Sequence, residues 1–241
     1  MDPRVIAIPG FSEPVSCWSH LLGAAVVLVA SRWLFARARR ADALWTAVVY
    51  VIGLLFMLSM SGVYHLLEPG GTPRMVLRRL DHAAIWIQIA GTFTPIHYVL
   101  CRGAWRWGFL GLIWVLAITG LTLKTVFFAS MPQALGLSLY IGMGWLGAAS
   151  AWHLTRERGW RYARPLLAGG LWYTVGAVLE GIGWPTLIDG VIEAHELFHL
   201  AVLAGAFVHW RFIQTRVFAP PVGSGGPGGL APPSGAAPAS A

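Results

Sequence analysis

Long apolar runs separated by short polar links dominate the chain. Seven stretches of about 20 apolar residues, the length that crosses a bilayer as a helix, fall at approximately 16–36, 43–67, 81–101, 106–124, 135–154, 166–184 and 195–216. The pattern predicts an all-α integral membrane protein, a seven-transmembrane-helix bundle. The links are short and carry turn signals, as in EPGGTPR and WPTLIDG, so residues 1–218 are expected to form one membrane domain without an extramembrane globule. The stretch 219–241, APPVGSGGPGGLAPPSGAAPASA, has neither charge nor periodicity and is expected to be a disordered Pro/Gly/Ala-rich tail. The N-terminal MDPRVIAIPGFSEP lacks the basic start, apolar core and cleavage site of a signal peptide, so the first helix is expected to stay in the mature protein.

Composition agrees with a lipid solvent. The chain is 56% hydrophobic and 11% charged, whereas a soluble domain has about 25% charged residues; its mean hydropathy is +0.64. The net charge of +7 does not imply nucleic acid, because the arginines sit in short clusters between apolar stretches, as topology signals do. Arg37, Arg39, Arg40, Arg102, Arg106, Arg156, Arg158, Arg161, Arg164, Arg211 and Arg216 fall at one membrane face; Arg4, Arg74, Arg78, Arg79 and Lys124 fall at the other. The larger set places the C-terminus in the cytoplasm and the N-terminus outside, and Arg74, Arg78 and Arg79 oppose that orientation. Cys17 and Cys101 lack CxxC spacing and read as isolated small hydrophobes rather than a disulfide.

Ionisable residues inside apolar helices carry the chemistry, because a buried charge in a membrane is costly. Helix 2 places Ser61 and His65 four apart on one face, helix 3 opens with Asp81 and His82, and helix 7 opens with HELFH, bearing His195 and His199. Alternating helix directions bring these residues to one membrane face. Three imidazoles with an open fourth position match catalytic zinc. Asp81 would then hold and deprotonate the metal-bound water, whose pKa zinc can lower to about 7. Ser61 would donate to a developing oxyanion or bond an outer group. The zinc site is thus expected between helices 2, 3 and 7. His20 reads as an interfacial histidine or a lining residue, His82 as an interhelical hydrogen bonder, and His97, His153 and His209 as interfacial residues of the opposite face. The 13 Trp read as an interfacial belt. Glu180 reads as a buried acid that lines the cavity or pairs with a polar neighbour.

The motifs SCWSHLLG, SGVYH, RLDHAAIWIQIAGTFTPI and HELFHLAVLAGAFVHW resemble those of the hemolysin III family, relatives of the adiponectin and progestin receptors, over residues 12–215. The wider superfamily, with the alkaline ceramidases, is similar in having seven helices and a Ser, an Asp and three His around zinc. The resemblance puts these roles on Ser61, Asp81, His65, His195 and His199. Trp86, Gln88 and Phe93 depart from the usual residues, and Gln88 puts a polar group in mid-helix.

HELFH also has the spacing of a zinc-protease helix. Nothing acidic follows Glu196, however, and the available third ligand and aspartate lie upstream, unlike the protease arrangements. Glu196 reads either as a carboxylate favoured at a helix N-terminus or as a base. Three functions therefore stand: a zinc-dependent hydrolase of a lipid amide or ester, a receptor-like or membrane-perturbing protein with structural zinc, and an intramembrane metalloprotease. The partner expected in each of the first two is a membrane lipid, as substrate or ligand, and the location is the bacterial inner (plasma) membrane.

Overall fold

The computed structural model describes residues 6–38 and 41–219. Seven helices long and apolar enough to cross a membrane follow one another: α1 (Pro14–Arg37), α2 (Ala41–Leu66), α3 (Thr72–Leu100), α4 (Gly103–Val126), α5 (Gln133–Arg158), α6 (Trp160–Ile182) and α7 (Ala194–Phe212). A π-helical turn, Ile213–Val217, extends α7. Apart from Ala219, the tail expected over 219–241 lies outside the described residues, as do Arg4, Arg39 and Arg40.

Each helix begins before the apolar stretch that announces it. α3 begins at Thr72 with Pro73 in its first turn, where a missing N–H costs nothing. Its basic opening TPRMVLRR carries no hydropathy signal, so Asp81 lies in the third turn rather than the first. α6 begins at Trp160 and runs through Pro165, within its first two turns, to Gly183, whose left-handed φ of 65° ends it. In each case hydropathy marks the segment that meets lipid, and the helix continues into the interface on arginine-bearing turns.

Successive helices pack as antiparallel neighbours, and α1 also meets α7. In α3, 72% of the apolar window is buried, against 22–28% in α1, α4, α5 and α6, which makes α3 the central helix. One core joins Leu34, Tyr50, Leu54, Leu58, Phe212 and Ile213. A second joins Trp86, Phe93, Ile113 and Tyr140 between α3, α4 and α5. Close approach of α3 and α4 depends on Gly120, where an added Cβ would lie 2.4 Å from the Trp86 ring. Val26, Val115, Ile118, Val178 and Phe207 face outward, as a lipid solvent permits. Cys17 and Cys101 are buried free thiols, and burial pushes Cys101 up to about 11.

Several tryptophans, among them Trp18, Trp33, Trp107 and Trp184, are exposed, whereas Trp86 and Trp210 are buried in the cores and lie outside any belt. The opposite-face histidines are likewise packed. His97 is fully buried between the Trp105 carbonyl (2.6 Å) and the Ser150 hydroxyl (2.8 Å). His153 stacks on Trp105 at 4.3 Å, and His209 meets the Leu166 carbonyl at 3.1 Å. Interhelical hydrogen bonds hold His97 in the interior, so the interfacial expectation fails there, whereas His153 and His209 are half-buried.

Candidate metal centre

α2 and α7 deliver the three histidines. His65 lies in the last turn of α2, with Ser61 a turn earlier on the same face; His195 and His199 lie in the first two turns of α7. His65 and His199 are each 2% exposed and His195 is half-buried. One ligand atom from each lies within 4.8 Å of the others, a group that can hold a metal ion.

The outer partners fix which nitrogens face inward. Glu13, immediately before α1, accepts from His65 Nδ1 through Oε2 and from the Arg74 guanidinium through Oε1. Burial pushes the Glu13 carboxyl up, but hydrogen bonding and charge from His65 and Arg74 outweigh it and hold the group at about 2. An ionised carboxylate only accepts, so Nδ1 of His65 carries a proton, and in the neutral ring Nε2 presents a lone pair. Glu180 of α6 meets His195 Nδ1 at 3.2 Å with the same consequence. The two Nε2 atoms face each other at 3.4 Å, and with both rings neutral no hydrogen lies between them. Two lone pairs so placed repel unless a cation lies between them. Zinc bound to nitrogens at about 2.0–2.1 Å in a tetrahedron separates them by about 3.3–3.4 Å. The donor set and this spacing fit the metal.

The expected histidine trio of helices 2 and 7 is brought together, and the structure adds partners beyond α3. α3 contributes no member of the histidine group, while the segment before α1 and the end of α6 supply the orienting carboxylates Glu13 and Glu180. Asp81 lies outside the histidine group; its Oδ2 is 3.7 Å from His82 Nδ1. It lines, with Ser61, His195 and His199, a cavity of about 240 Å³ that continues between apolar side chains such as Ile89 and Val202. Ser61 is 3% exposed. Gln88 lines the same cavity and donates to Thr92 Oγ1 at 3.2 Å.

Three sequence readings change. His20 is 3% exposed and stacks on His199 at 4.0 Å, so it is a lining residue rather than an interfacial one. His82 meets the Arg78 carbonyl of its own helix at 2.8 Å instead of bonding across helices through its ring. Arg74 is a buried ion-pair partner and not a free topology charge. Glu196 is fully engaged: Oε1 accepts from Ser16 Oγ (3.0 Å), and Oε2 accepts from the Glu193 N–H (3.0 Å) in a capping box. The glutamate of HELFH thus fastens α7 to α1. Glu13 carried one sequence signal: it precedes Pro14 as the N-cap of α1, yet its side chain makes no cap bond because its oxygens serve His65 and Arg74.

Comparison with known proteins identifies the family. The chain is 32% identical over 197 residues to Hemolysin-3 of Bacillus cereus, covering 80% of this chain and 86% of that one. It is 26% identical over 197 residues to the Hemolysin-3 homolog of Bacillus subtilis (strain 168), covering 80% and 89%. It is 25% identical over 222 residues to the adiponectin receptor protein of Drosophila melanogaster, covering 84% of this chain and 50% of the receptor. The family described as Haemolysin-III related matches residues 11–210. With that match spanning the site and reaching into all seven helices, the chain belongs to the haemolysin III-related family of membrane proteins.

Proposed function

We propose that this protein is a zinc-dependent hydrolase acting on a lipid amide or ester from within the plasma membrane. The observation that carries the reading is a tri-histidine group, two members of which, His195 and His199, line an apolar cavity with Ser61 and Asp81. His65, His195 and His199 would hold the ion, and zinc there would supply a Lewis acid that polarises a carbonyl and acidifies water. Glu13 and Glu180 orient two of the imidazoles through their Nδ1 protons. Asp81 takes the proton of the attacking water on its carboxylate and returns it to the leaving group. Ser61 donates to the oxygen on which charge develops. Apolar walls hold the acyl chain and exclude bulk water. Asp81 is preferred to Glu196 as the base, since each Glu196 oxygen already accepts a hydrogen bond that ties it to α1 or to its own helix cap. That engagement also argues against a protease, in which the HExxH glutamate serves as general base.

The N-terminus lies outside and the C-terminus in the cytoplasm in this proposal, which puts the histidines at the outer face. A second reading, structural zinc in a receptor-like or lytic protein, is favoured by the names of the relatives, hemolysin and adiponectin receptor. Asp81→Asn separates the two. Asparagine keeps shape and reach but accepts no proton. In the hydrolase, zinc content stays near one per chain while turnover of short-chain ceramides or related lipid amides falls by about 10²–10⁴-fold. A zinc-loaded, folded wild-type protein inert across a broad lipid panel would establish structural zinc. Equal turnover in both proteins would remove Asp81 as the base.

A further inference from the structure

Arg78 and Arg79 break the charge bias of the rest of the chain, and the structure gives them company. Phe128, just beyond α4, is ringed by cations: Lys124 Nζ lies 5.0 Å from its centroid, and the guanidinium carbons of Arg78 and Arg79 lie at 5.4 and 5.8 Å. The His82 ring meets the same face group at 5.2 Å, edge on. Two helices, α3 and α4, converge here to bring like charges together. Among the described residues no carboxylate lies within 4.0 Å of Lys124, Arg78 or Arg79. Asp81, the acid at this end of the cavity, is turned to His82 at 3.7 Å.

Lys124 is the unusual member. A lysine in the last turn of a membrane helix ordinarily extends to the interface and keeps its ammonium in water. Lys124 is instead 5% exposed and lines the cavity beside His82, Gln133 and Tyr140. Gly136 of α5 makes the space, since a Cβ there would lie 3.2 Å from Nζ. The C-terminal dipole of α4 and the Phe128 ring offset part of the cost of this charge, yet neither is a counter-ion. A buried ammonium beside two guanidiniums, opening on an apolar cavity, has the composition of an anion subsite.

We infer that Lys124, Arg78 and Arg79 bind the phosphate of a membrane lipid whose apolar part occupies the cavity. Phosphate is favoured over a carboxylate because three cations match an anion with several terminal oxygens and up to two charges, whereas a carboxylate satisfies one guanidinium. The inference does not depend on hydrolysis, and it gives the arginines at the minority-charge face a task other than orientation.

The test is titration calorimetry on the full chain in a non-ionic maltoside detergent, with dioctanoyl phosphatidic acid as probe. Dioctanoylglycerol, which lacks the phosphate, and inorganic phosphate, which lacks the chains, are the companion probes. Phosphatidic acid is expected to bind saturably, at least tenfold more tightly than either. Lys124→Met should weaken it about tenfold or more, the effect of losing one charge-assisted hydrogen bond. Arg78→Gln with Arg79→Gln should do the same while leaving the buried position untouched, so a folding defect in Lys124→Met would not shelter the inference. Arg211→Gln, at the far end of α7, should bind as wild type. Equal binding of dioctanoylglycerol, or an equal loss in Arg211→Gln, would overturn the subsite. Inorganic phosphate binding as tightly as the lipid would overturn the lipid as its source. Binding that survives Lys124→Met and the double arginine variant but vanishes in His195→Ala with His199→Ala would place phosphate at the histidines and overturn the assignment.

Discussion

Replacing Glu13 by glutamine tests the metal centre from outside its ligand set. Each carboxylate oxygen of Glu13 serves one donor, Oε2 for His65 and Oε1 for Arg74. Glutamine has one oxygen and an NH₂ group, so one of those donors loses its acceptor and meets another donor. The residue concerned is buried in either case, His65 at 2% and Arg74 at 8% exposure. An unsatisfied buried donor costs about 1–3 kcal/mol, and more when it is charged; breaking a buried ion pair costs about 3–5 kcal/mol. A folded-state loss of about 2–4 kcal/mol is therefore expected, read as a lower melting temperature in detergent. Because the Nδ1 acceptor also fixes the tautomer that presents Nε2, zinc affinity should fall about 10–100-fold, as it does for outer partners of histidine ligands. Chelator competition reads that affinity, with His195→Ala plus His199→Ala as the zinc-free floor. The acid dependence has a defined sign. Glu13 is held at about 2, from an ordinary value of 4.5, so its contribution is complete above pH 4.5 and is lost as pH falls toward 2. Glu13→Gln should flatten that part of the stability profile. Unchanged zinc affinity in Glu13→Gln, with the melting temperature also unchanged, would refute the reasoning.

Two further outcomes follow from packing and charge. Gly120→Ala sets a Cβ 2.4 Å from the buried Trp86 ring; the α3–α4 contact must open, and thermal unfolding should show a loss of about 1–3 kcal/mol. A reporter fused after Phe218 should be active in the cytoplasm, and periplasmic activity would reverse the proposed orientation and place the histidines at the cytoplasmic face.

Seven apolar runs in the sequence correspond to seven helices, because lipid solvation demands long uninterrupted hydropathy. The three histidines were legible for a different reason: spacing of four on α7 and on α2 fixes a helical face, and odd–even alternation fixes the membrane level. What spacing cannot encode is a partner reached through tertiary packing. Glu13 lies 52 residues from His65, and Ser16 lies 180 residues from Glu196; no local periodicity joins either pair. Helix starts were misplaced where the opening turn is basic, as in TPRMVLRR, since those residues belong to the interface and not the apolar span. The same displacement moved Asp81 from the helix entrance to the cavity wall. The buried His97 was read as interfacial because position along a helix gives depth in the membrane but not direction around the axis.

Direction around the axis also decides what a charge is for. Counted by sequence, Arg74, Arg78, Arg79 and Lys124 weaken the orientation bias equally. Counted by environment, they divide. Arg74 is buried against Glu13, where it stabilises the carboxylate that orients His65, and Lys124 is buried in the cavity wall. Only Arg78 and Arg79 are exposed among these four, while Arg37, Arg102, Arg156, Arg158, Arg161, Arg164 and Arg211 are exposed at the other end. A charge held by a buried partner has its position set by the fold and carries little information about which side of the membrane it was made on. Weighing exposed charges alone strengthens the proposed orientation, and the pair that still dissents stands beside Lys124 around Phe128. The exception to the topology rule and the buried ammonium thus have one physical explanation, an anion held at the mouth of the cavity.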